Sequence, residues 1–119
     1  MSVEAFQKLR TAESCRLIEF ENAAVYPGIV SETYFLVVNG NANCMNMRVR
    51  LEPLVYVRQP EYWGIEVVGC LAGGICLPAK RPFMEFIPLA GITGTKGVEV
   101  IGATHPQQID VPPKDSGTT

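Results

Sequence analysis

Between Tyr34 and Leu71, apolar and polar residues alternate through four successive runs. In Met47-Arg48-Val49-Arg50-Leu51-Glu52 the pattern puts Met47, Val49 and Leu51 on one side and Arg48, Arg50 and Glu52 on the other. A period of two predicts half-buried β-strands. Tyr62 to Leu71 repeats it: Trp63, Ile65, Val67 and Leu71 share one face and Glu66 lies on the other. The nearly continuous apolar run from Glu32 to Val38 predicts a strand buried on both faces.

Shorter runs predict further strands at Cys15–Phe20, Met45–Leu51, Leu54–Arg58, Ile75–Leu77, Phe83–Leu89, Val98–Ala103 and Ile109–Val111. Turn residues punctuate them. Tyr26-Pro27-Gly28-Ile29 has the order of a type II turn, and Asn39-Gly40 can take the positive φ angles of a tight hairpin. Pro53 interrupts the pattern because proline cannot donate to a sheet ladder. Ala72-Gly73-Gly74 predicts a turn, Pro78 to Pro82 a surface loop and Gly91 to Gly97 a glycine-rich turn. Only the N-terminus departs from this period. There Val3, Phe6 and Leu9 recur at helical spacing and predict a short helix over 3–11 that packs on the domain.

Short strands joined by turns imply an all-β chain, a single-domain antiparallel β-sandwich or small barrel. An immunoglobulin-like topology is one candidate, although Trp63 stands too close before Cys70 for the Cys-Trp-Cys spacing of true immunoglobulin domains. The organisation expected is a helical segment at 1–14, the sandwich over 15–111 and a polar tail at 112–119.

Composition narrows the function. The chain has 119 residues, of which 47% are hydrophobic and 18% charged. So few charges on a small domain leave apolar surface for a protein partner or a second copy. A net charge of −2 argues against a general nucleic-acid binder. The N-terminus lacks the pattern of a signal peptide, and no window is long enough to span a bilayer, so a cytoplasmic protein is expected. Cys15, Cys44, Cys70 and Cys76 lack zinc-type spacing, which predicts buried reduced thiols.

No catalytic set converges. The single histidine, His105, lies in a polar stretch, and no G-x-S-x-G turn presents a nucleophile. Three features carry candidate chemistry. Cys70 and Cys76 face each other if Ala72-Gly73-Gly74 forms a three-residue loop, which would make a thiol pair for redox work. Gly94, Thr95, Lys96 and Gly97 resemble an anion loop, without the Walker pattern or a following helix. Arg48, Arg50, Glu52, Arg58, Tyr62, Glu66 and Arg81 form the candidate interaction face. Cys44-Met45-Asn46-Met47 offers soft sulfur atoms, but too few would converge to hold a metal ion.

The function expected is a non-catalytic β-sandwich working through protein–protein contacts, self-association included, with no cofactor and no metal. The alternatives are a small-ligand or anion-binding domain using the Gly91–Gly97 loop and a cysteine-dependent redox protein using Cys70 and Cys76.

Overall fold

The computed structural model describes residues 13–112. The helix expected over 3–11 and nearly all of the polar tail lie outside them. Eight strands form: β1 (Glu13–Leu17), β2 (Asn22–Pro27), β3 (Tyr34–Cys44), β4 (Arg48–Pro53), β5 (Tyr62–Ala72), β6 (Pro78–Pro88), β7 (Gly97–Ile101) and β8 (Pro106–Asp110). They make two sheets with no ladder between them, the two-layer all-β arrangement of a sandwich. Among the described residues no helix is long and apolar enough to cross a membrane.

β5 is the spine of the larger sheet. β4 pairs along one edge, while β1 and β7 lie end to end along the other. Their C-terminal ends meet where Ala103 N donates to Ile18 O across 3.1 Å. β8 pairs outside β7. The smaller sheet has the order β2-β3-β6.

Every pair is antiparallel except β5–β7, which is parallel and corrects the wholly antiparallel expectation. The reason is connectivity. The chain crosses to the other sheet to make β6 before it returns as β7, so the link is long enough for a parallel partner.

The inner faces meet in one core. Leu36 and Val38 of β3 and Phe83 of β6 pack with Ile65 and Val67 of β5 and Val98 and Val100 of β7. Met47 and Val49 join them, so the inward side of the alternating run is as its period predicts. Trp63 packs against this core and donates its indole N–H to Leu54 O at 2.9 Å.

Several expected boundaries shift. Asn39-Gly40 is the middle of β3, not a hairpin turn. A Cβ on Gly40 would stand 3.1 Å from Glu21 N, Phe20 Cα and Phe83 Cζ, so glycine is there for close approach. The turn comes later, where Met47 N donates to Cys44 O. It leaves Met45 half-exposed and Met47 buried, so the two thioethers do not share a face.

Pro78–Pro82 opens β6 and is not a loop. Leu54–Arg58 leaves the sheet after Leu54 N bonds Gly64 O, and Ile75–Leu77 is the crossing between the sheets.

Candidate interaction surface

The outer face of the larger sheet carries much of the charge foreseen. Arg48, Arg50 and Glu52 of β4 stand opposite Cys70, Val68 and Glu66 of β5. Arg48 reaches Glu13 Oε2 at 3.4 Å, and Arg50 reaches Glu13 Oε1 at 3.5 Å and Glu52 Oε2 at 3.0 Å. These guanidinium groups are therefore paired within the protein. Exposed pairs of this kind contribute little to stability.

The other members of the expected face disperse. Arg58 lies in the segment after β4, off the sheet. Tyr62 donates its hydroxyl to Asp110 Oδ1 at 2.6 Å. Arg81 does not reach outward. Its Nε donates to Met45 O at 3.1 Å and its Nη2 to Met47 O, clamping the β3–β4 turn onto β6.

The Gly94–Gly97 loop is not an anion cradle. Gly94 N donates to Gly97 O, Thr95 N to Pro60 O, and both Lys96 N and Gly97 N to Glu61 O. All four N–H groups are committed, and the Lys96 ammonium lies 3.6 Å from Glu61 Oε2. A Cβ on Gly94 would collide with the Glu61 carbonyl. The glycines let this loop lie directly on the turn at Pro60-Glu61, which is a structural task.

Cys70 and Cys76 do not pair with each other. Cys70 bonds Cys15, its direct opposite on β1, and Cys76 bonds Cys44. The Ala72-Gly73-Gly74 turn does not fold β5 back on itself but sends the chain to the other sheet, which carries Cys76 to the end of β3. No cysteine is free, so the four reduced thiols expected are not found. Glu13, Cys15 and Cys70 bring potential metal ligands within 4.8 Å, but sulfurs joined to each other are not thiolate ligands. His105 stacks on Phe20 at a centroid distance of 4.8 Å.

The outer face of the smaller sheet carries the feature missed in the sequence. Register places Ala24 and Tyr26 beside Val37 and Phe35, and these beside Phe86 and Pro88, with Met84 next along β6. Tyr26 is 55% exposed, and Met84 and Phe86 are each 68% exposed. Phe35 and Phe86 meet edge to face at 6.3 Å.

None of these outward positions carries a charge. The one acidic residue between them, Glu85, is opposite buried Val38 and turned to the inner side. The signal lay in the run from Glu32 to Val38. A strand apolar on both faces is either covered twice or leaves one apolar face open, and the structure gives the second case.

A cleft of about 820 Å³ opens at one end of the sandwich. Tyr34, Tyr56 and Trp63 line it with Thr93, Gly94 and Thr95. Comparison with protein-family models, curated proteins and solved structures finds no match.

Proposed function

We propose that this protein is a non-catalytic interaction module that pairs with a second copy of itself through the outer face of β2-β3-β6. The uncharged surface of Tyr26, Phe35, Val37, Met84 and Phe86 carries this proposal. Contiguous exposed apolar surface on a small domain marks an interaction site.

Two such faces meet without charge repulsion, and a twofold axis would make the contact self-complementary. With 11 residues in β3 and in β6 and six in β2, about 3.3 Å per residue and about 4.8 Å per strand give a face of roughly 450 Å² at most. Two copies would bury at most about 900 Å², below the usual size of a stable interface, so the pairing is weak and reversible. Pro78, Pro82 and Pro88 remove donors from edge strand β6, which favours face-to-face over edge-to-edge contact.

Two disulfides favour an oxidising compartment over the cytoplasm.

Sedimentation across a concentration series tests the pairing. Mass should rise from one toward two chains, and Phe86→Asp should hold it at one. A wild-type chain that stays monomeric throughout would overturn self-association.

The cleft supports a second function, binding of a small ligand. Its volume falls within the usual range for ligand sites, and its lining mixes aromatic with hydroxyl side chains. A ligand specific for the fold would raise the melting temperature in a compound screen, and Tyr34→Ala should abolish the rise.

A further inference from the structure

We propose that the Cys15–Cys70 disulfide is a thiol-exchange site, opened by a small external thiolate that attacks Cys15 and expels Cys70. The two residues differ in exposure. Cys15 is exposed on β1, while Cys70 on β5 is fully buried. An incoming thiolate therefore meets Cys15.

Arg50, reaching from the other edge of β5, supplies what the leaving sulfur needs. Its Nη2 lies 3.2 Å from Cys70 Sγ and 3.6 Å from Cys15 Sγ. Its other nitrogens lie beside carboxylates, Nε 3.0 Å from Glu52 Oε2 and Nη1 3.5 Å from Glu13 Oε1, although Nε makes no aligned hydrogen bond. The two carboxylates flank the guanidinium, and Nη2 lies over the sulfurs. They also offset part of its charge, and a Glu13 oxygen lies within 4.8 Å of both sulfurs, but Nη2 touches Cys70 Sγ directly at 3.2 Å.

A neutral disulfide sulfur is a weak acceptor and a thiolate a strong one. The Arg50 contact therefore strengthens as negative charge reaches Cys70, which lowers the barrier to exchange. In the step itself the external thiolate forms a new S–S bond to Cys15 Sγ. The Cys15–Cys70 bond breaks, and its electron pair stays on Cys70 as a thiolate beside Arg50. A second external thiolate then attacks the mixed disulfide. It releases Cys15 as a thiolate and leaves as a small disulfide, so two thiols supply the two electrons.

The second disulfide is an internal comparison. It also joins a buried sulfur, Cys44, to an exposed residue, Cys76. Among the described residues no arginine or lysine side chain bonds its sulfurs. Residue exposure is similar in the two, and the charged neighbours differ: Arg50 and Glu13 both stand beside Cys15–Cys70.

The test uses the intact oxidised chain and reduced glutathione. Timed samples are acid-quenched, alkylated and mapped by peptide mass. Cys15 should carry the first glutathione while Cys70 is alkylated, about three- to tenfold faster than Cys44–Cys76 opens. Arg50→Gln should slow opening of Cys15–Cys70 about three- to tenfold, as expected for a leaving thiol whose pKa rises. The rate at Cys44–Cys76 should not change, which also reports that the variant is folded. Equal opening of the two bonds in the wild type would overturn the proposal even if Arg50→Gln failed to fold. So would glutathione on Cys70, an unchanged rate in a folded Arg50→Gln, or four alkylatable thiols before glutathione is added.

Discussion

Tyr62 of β5 donates its hydroxyl to Asp110 of β8 across 2.6 Å, although β7 runs between the two strands. The β7 residue between them is Gly97, paired with Tyr62 on one side and Asp110 on the other. With no side chain in the way, the phenol reaches over the strand. The bond ties the spine of the larger sheet to its last strand.

That bond makes stability depend on alkaline pH. The hydrogen bond to Asp110 raises the Tyr62 pKa above its ordinary value of 10.0, helped by desolvation and by the charges of Asp110 and Glu61. A raised pKa means the neutral phenol is favoured in the folded state. Its contribution is full below the unfolded pKa and is lost as pH rises through the folded one. Tyr62→Phe should melt lower than the wild type at neutral pH, and the gap should close at strongly alkaline pH. A gap independent of pH would refute this assignment.

Arg81 should behave as a structural residue. It holds the carbonyls of Met45 and Met47, so Arg81→Ala strands two acceptors and should cost about 1–3 kcal/mol in urea unfolding. Arg81→Lys should recover only part of this, because an ammonium lacks the planar fork.

In the core, Ile65 is fully buried among β3, β5 and β7 side chains. Ile65→Ala should destabilise by about 2–5 kcal/mol, from lost transfer energy plus the cavity left behind.

The two outer faces should respond differently to charge. Arg48→Glu on the larger sheet should leave sedimentation unchanged, since Arg48 belongs to an internal ion-pair cluster. Met84→Glu on the smaller sheet should weaken pairing at least tenfold while leaving the melting temperature within a few degrees, because Met84 is largely exposed. Equal effects from the two substitutions would place the contact elsewhere.

The period of two made the all-β class legible, and with it the inward side of Met47, Val49, Ile65 and Val67. It also placed Arg48, Arg50, Glu52 and Glu66 together on an outward face. Pairing across the chain was not legible. Asn39-Gly40 has the composition of a hairpin turn, yet Phe83 and the Phe20-Glu21 backbone need a glycine beside them at that point, and the strand runs through. Cys70 and Cys76 are near in sequence, but the crossing between the sheets separates them. Arg81 sits among loop-forming prolines, and nothing local marks the carbonyls that it binds. Tertiary contacts decide each of these cases.

The four cysteines bond in an interleaved order, Cys15 to Cys70 and Cys44 to Cys76. A cut anywhere between Cys15 and Cys76 therefore leaves at least one bridge spanning the break. A protease acting at the exposed Val57–Gln59 stretch would add one water to the mass and release no fragment. The nick would show only after reduction, and a clipped molecule would keep its two layers together.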